Sequence, residues 1–175
     1  MLPLLHQRGT DAFVCQPGVI DYPIQADEYQ CKKLACMRVS ASWPVLVAED
    51  NPDDFFLLEA AWTRAGKGHA LVCAPDGIAL LEHLRLPGMR AALVLMDVNM
   101  PRMNGLEALA EMKVDPRLGS TPVVMFSTSR LDRDVSRAYQ LGASSYVVKP
   151  VGLPELVNAV TLIRTYWLEL IEAPE

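Results

Sequence analysis

The chain has 175 residues, 51% apolar and 21% charged, an ordinary globular composition that allows one domain with a sizeable core. Its formal net charge of -5 argues against a non-specific nucleic-acid binder, which would carry a basic patch. No apolar run approaches the roughly 20 residues of a membrane span, and Leu2, Leu4 and Leu5 give way at once to polar residues, unlike a secretory leader; a soluble cytoplasmic protein is expected.

Residues 1–42 lack sustained periodicity and carry Pro3, Pro17, Gly18 and Pro23. They are expected to be a poorly ordered or loosely docked extension. Cys15, Cys31, Cys36 and Cys73 lack the paired spacing of a zinc site and read as reduced thiols. Regular patterning begins at Trp43, so residues 43–175 are taken as the folded domain.

The first strand is Val45-Leu46-Val47-Ala48. Asn51-Pro52-Asp53-Asp54 then opens a helix: Asn as N-cap, Pro at the first position, acids in the first turn. Phe55, Leu58, Trp62 and Ala65 follow at helical spacing up to Gly66. Ala70-Leu71-Val72-Cys73 is a weaker strand, followed by a short helix from about Asp76 to Leu86. Ala91 to Met96 is the third strand; Asn104 with Glu107 forms a capping box for a helix to about Val114. Val123 to Phe126 is the fourth strand, with a helix over Leu131 to Leu141. Tyr146-Val147-Val148 is the fifth, with a helix over Leu153 to Ile171.

Short continuous apolar runs suit strands buried on both faces of a parallel sheet. Parallel strands need right-handed helical crossovers. The expected fold is α/β: a flavodoxin-like, doubly wound (βα)5 sandwich with strand order 2-1-3-4-5. Fold alone does not give function.

The polar residues at the strand ends are more informative. Glu49 and Asp50 follow the first strand, Asp97 the third, Ser127 the fourth and Lys149 the fifth. In this topology all reach one edge of the sheet, near the switch point where ligands bind. Taken singly, each is an ordinary turn, cap or solvated residue; jointly, chance is a poor account of five polar groups at four strand ends. Crowded carboxylates repel, and a hard cation such as Mg2+ relieves that. Asp50, Asp97 and the backbone carbonyl of Asn99 could supply ligands, with Glu49 acting directly or through water. A phosphoryl group arriving at Asp97 would meet the metal, Ser127 and Lys149, which neutralise its oxygens. An aspartate can act as the nucleophile and form an acyl phosphate.

At this point the sequence resembles the receiver domains of two-component response regulators. The matching segments are VLVAEDNPDD (45–54), LVLMDVNMPRMNGLE (93–107), PVVMFSTS (122–129) and GASSYVVKP (142–150), within a resemblance over about residues 44–170. The resemblance implies an acidic metal-binding pair at Glu49 and Asp50, a phosphoacceptor at Asp97, a switch hydroxyl at Ser127, a switch aromatic at Tyr146 and the family lysine at Lys149. It also implies a cis peptide at Lys149-Pro150. Phosphorylation would draw Ser127 toward the phosphate and turn Tyr146 inward, shifting a two-state element and reshaping the face of helix 4, strand 5 and helix 5. EDNPDD, the run from STSRLDRD to LPEL, and a last helix ending in TYW resemble the short regulators paired with bacterial phytochromes. Those are single receivers with no output domain, and this chain likewise stops soon after its fifth helix. The family resemblance implies a sensor histidine kinase as partner, the narrower one a kinase of the phytochrome type, and the protein is expected to catalyse only its own phosphorylation and dephosphorylation.

The last helix bears one stripe expected to be core, Leu156, Val160, Ile163, Trp167 and Leu170. Val157, Leu162, Tyr166 and Leu168 widen the apolar face, which suits a homodimer interface. Three other readings fit less well. An Asp-nucleophile phosphatase of the haloacid-dehalogenase type needs a second Asp where Asn99 stands. A flavin or nucleotide module would want a phosphate loop where Glu49, Asp50, Asp53 and Asp54 stand. A phosphorylation-independent adaptor with this fold would normally lack one of the five site groups.

Overall fold

The computed structural model describes residues 36–37, 43–66, 68–171 and 173–174. The expected extension, residues 1–42, lies outside them apart from Cys36–Met37, a two-residue strand paired antiparallel with Ala173–Pro174. No helix among the described residues is long and apolar enough to cross a membrane.

The elements alternate as expected: β1 Val45–Ala48, α1 Pro52–Ala65, β2 Leu71–Ala74, α2 Gly77–Arg85, β3 Leu93–Met96, α3 Gly105–Val114, β4 Val123–Ser127, α4 Asp132–Gln140, β5 Ser145–Val148 and α5 Leu153–Arg164. The five strands form one parallel sheet in the order β2-β1-β3-β4-β5. This is the flavodoxin-like fold.

Successive side chains of a strand point to opposite faces, so each central strand feeds two cores. Val45, Val47, Leu93, Leu95, Val124 and Phe126 pack against Leu58 and Trp62 of α1 and Val160 and Ile163 of α5. Leu46, Val94, Met96 and Met125 pack on the other face against Leu80 and Leu84 of α2 and Leu109 and Met112 of α3. Each such buried side chain contributes roughly 1.5–3 kcal/mol. The edge strands β2 and β5 are mostly half-buried, because each has a neighbour on one side only.

The helix starts follow the caps in the sequence. Asn51 accepts from the Asp53 N–H at 3.0 Å, and Pro52 opens α1. Asn104 and Glu107 form the reciprocal capping box of α3, each backbone N–H bonded to the other's side chain.

Two expectations need correction. The last helix is not uniformly α: α5 ends at Arg164 and Thr165–Leu170 is π-helical. The i→i+5 bonds widen the turn and rotate later residues off the 3.6-residue stripe. Trp167 still packs on the core, but Leu170, expected inside, is 70% exposed. The second concerns Lys149-Pro150. No peptide bond among the described residues is cis, so this one is trans, the isomer an X–Pro bond favours by about 0.5–1 kcal/mol.

Candidate functional site

Backbone pairing at the carboxyl ends of the strands sets the site. The β1/β3 register pairs Ala48 with Met96, and the Asp97 N–H donates to the Ala48 carbonyl at 3.0 Å. Glu49 and Asp97 therefore leave neighbouring strands side by side. The Lys149 N–H donates to the Ser127 carbonyl at 2.9 Å, which fixes the ends of β4 and β5 in the same way.

The loop after Asp97 is tightly held. The Gly105 N–H donates to the Val98 carbonyl at 2.9 Å, and a β-carbon on Gly105 would lie 1.9 Å from the Asp97 carbonyl oxygen. Only glycine lets the first turn of α3 approach that closely. Arg102 has φ of 61°, a left-handed backbone uncommon outside glycine. Its Nε donates to Asp76 Oδ2 at 2.6 Å, and the Met103 carbonyl accepts from the Gly77 N–H at 3.1 Å. Burial works against charge on Asp76, but the Ala79 N–H and the Arg102 guanidinium outweigh it and hold its carboxyl below the ordinary value. The β3–α3 loop is thereby tied to the start of α2.

Lys149 is the hub of the side chains. Its Nζ donates to Glu49 Oε2 at 2.5 Å, Asp54 Oδ2 at 3.1 Å and Asp97 Oδ2 at 3.2 Å. Asp97 Oδ1 accepts from the Val98 N–H at 2.6 Å. The Glu49, Asp97 and Lys149 side chains are each no more than 9% exposed. Burial opposes the charge on Lys149, but the Glu49 hydrogen bond and the Asp97 charge outweigh it, so its pKa is raised and it stays an ammonium. Burial also raises the Glu49 carboxyl above its ordinary value, more than Lys149 lowers it. Three carboxylates, those of Glu49, Asp54 and Asp97, share the one ammonium.

Carboxylate oxygens of Glu49, Asp50 and Asp97 lie within 4.8 Å of one another. The donor set fits a hard divalent cation: oxygens only, two carboxylates buried, and Asp50 on the exposed side where a cation keeps its waters.

Ser127 is fully buried at the end of β4, and its Oγ accepts from the Ser129 N–H at 3.3 Å. Tyr146 on β5 is half-buried and its hydroxyl donates to the Ser129 carbonyl at 2.9 Å, so both bond to the loop that follows β4. Burial raises the Tyr146 phenol above its ordinary value. Asn99 is exposed in the β3–α3 loop, two residues beyond Asp97. Asp54 is the site member that the strand-end reasoning missed. It comes from the first turn of α1, and the signal was there: a helix that starts directly after β1 carries its first-turn acids to the same edge.

The model for the response regulator receiver domain matches residues 45–161. The chain belongs to this family. The receiver is 33% identical over 135 residues to the response regulator Rcp1 of Synechocystis sp., an alignment covering 74% of this chain and 92% of Rcp1. Among solved structures it resembles the phosphorylated cyanobacterial phytochrome response regulator RcpA, with a TM-score of 0.72 and 32% identity over 77% of this chain and 99% of that one. The Mn(2+)-bound form of Rcp1 is similar too, with a TM-score of 0.69 and 33% identity over 76% of this chain and 99% of that one. Its place is in two-component signalling, among regulators like those paired with phytochromes.

Proposed function

We propose that this receiver accepts a phosphoryl group on Asp97 from a sensor histidine kinase of the phytochrome type, as a cytoplasmic switch that acts on no outside substrate. The observation that carries the reading is the Lys149 ammonium held between Glu49 and Asp97, with Asp50 in the same acidic cluster. The similarity to the phytochrome response regulator RcpA supports the choice of kinase.

Glu49, Asp50, Asp97 and the carbonyl of Asn99 would hold Mg2+, which when bound neutralises charge on the phosphoryl oxygens. Asp97 Oδ2 faces the lysine and attacks phosphorus. The new P–O bond forms as the bond to the donor nitrogen breaks, and the histidine leaves with that electron pair. Lys149 and the Ser127 hydroxyl take the equatorial oxygens. Movement of Ser127 releases the loop at Ser129, to which Tyr146 is bonded, and Tyr146 turns inward.

Incubation with Mg2+ and acetyl phosphate followed by intact mass tests this. One phosphoryl group should be gained, and none after Asp97→Asn or chelation. An unchanged mass where a control receiver is labelled overturns the reading.

The exposed Leu162 on α5, with Tyr166 and Leu170 in the π-helical turn that follows, supports a homodimer through this C-terminal helix. Tyr166 stands edge-on to Trp167 at 5.0 Å, an aromatic pair with one ring on the core and one in solvent. Sedimentation at micromolar concentration should show a dimer; a monomer with and without phosphorylation removes the proposal.

A further inference from the structure

An ammonium has three N–H donors and no more. In this receiver all three can be engaged by the carboxylates of Glu49, Asp54 and Asp97. A phosphoryl group on Asp97 would need at least one of them. Glu49 is buried at its 2.5 Å contact and Asp97 is itself the acceptor, so the partner to be given up is Asp54, whose side chain is 36% exposed.

Asp54 does not reach Lys149 by accident of rotamer. Its second oxygen, Oδ1, accepts from Asn51 Nδ2 at 3.3 Å, while the Asn51 N–H donates to Glu49 Oε1 at 3.2 Å. One residue, the N-cap of α1, thus steadies both carboxylates that take Lys149 from the α1 side.

We propose that Asp54 is a positioning residue that restrains phosphorylation by holding Lys149 in the unphosphorylated site. It acts on the reaction through the lysine. The inference rests on Asp97 being the phosphoacceptor. Loss of the Asp54 charge frees a lysine donor for the phosphoryl oxygens, so transfer from acetyl phosphate to Asp97 speeds up: the P–O bond to Asp97 forms as the P–O bond to acetate breaks, and acetate carries off the electron pair. The gain should be roughly two- to fivefold, the size expected of a half-exposed ion pair.

The test is phosphorylation of the full chain by acetyl phosphate with Mg2+, with rate measured against donor concentration for wild type, Asp54→Asn, Asp54→Ala and Asp54→Glu. A higher maximum rate in Asp54→Asn and Asp54→Ala is expected, with the wild-type rate regained in Asp54→Glu. In a Lys149→Met background the Asp54→Asn acceleration should vanish. Misfolding cannot supply a gain in rate. A maximum rate unchanged or lowered in both neutral variants overturns the proposal. So does a change confined to the half-saturating donor concentration, which would mean simple repulsion of the anionic donor, or an acceleration that survives without Lys149. A wild type that takes no phosphoryl group fails differently: it sinks the phosphorylation of Asp97 itself and this inference with it.

Discussion

Replacing Lys149 by methionine keeps most of the side-chain volume and removes the charge. At an effective dielectric constant of about 20, an ammonium and a carboxylate at 2.5 Å and 3.2 Å attract by roughly 5–7 kcal/mol each before desolvation. Burial of the ammonium takes back much of that, and breaking a buried pair from one side typically costs about 3–5 kcal/mol. Lys149→Met should fall in that range at neutral pH, because Glu49 and Asp97 are left buried side by side. The pH dependence has a definite sign. Glu49 already has a raised pKa, and losing Lys149 raises it further. A raised carboxyl favours the folded state below its unfolded pKa of about 4.5 and stops doing so as pH rises through the folded value. The deficit relative to wild type should therefore shrink as pH is lowered from 7 toward 5. Urea unfolding of both proteins at pH 5, 6, 7 and 8 measures this. A deficit that is constant or grows toward pH 5, or a variant as stable as wild type at pH 7, would refute the electrostatic account.

Gly105→Ala puts a methyl group 1.9 Å from the Asp97 carbonyl oxygen; it should cost several kcal/mol by overpacking and abolish labelling by acetyl phosphate, read by thermal melts and intact mass. Asn104→Ala removes one half of the α3 capping box and should lower stability by about 1 kcal/mol in urea melts while leaving Asp97 able to take a phosphoryl group. The Cys73 thiol is half-buried and its pKa is raised, first by burial and then by the Glu49 charge. Its alkylation should be slow at pH 7.5, with the rise of rate with pH displaced above that of a free thiol; labelling at the free-thiol rate would contradict the burial.

The sheet was legible because β1, β3 and β4 are continuous apolar runs and the central strands are buried on both faces. Asn51, Asn104 and Pro52 announced their helices, since capping is a local transaction between neighbouring residues. Glu49, Asp97 and Lys149 could be placed at one edge from topology alone. What sequence could not give was the partner of Lys149 on α1, which depends on how the first turn leans over the strand ends. Nor could it give the π-helical end of α5: the stripe through Leu170 has good 3.6-residue spacing, and the wide turn that spoils it has no recognisable residue signature. The Arg102–Asp76 tie was hidden for a like reason, as an arginine in a left-handed turn is a tertiary choice against local preference.

The contacts of Lys149 also bear on how the protein folds. It reaches Glu49 across 100 residues of chain and Asp54 across 95, among the most costly loops this domain has to close. A chain still lacking its last strand has Glu49, Asp50 and Asp97 without the ammonium of Lys149. On the proposed reading, the chain therefore completes its phosphoryl site only when β5 joins the sheet and brings Lys149 to Glu49 and Asp97.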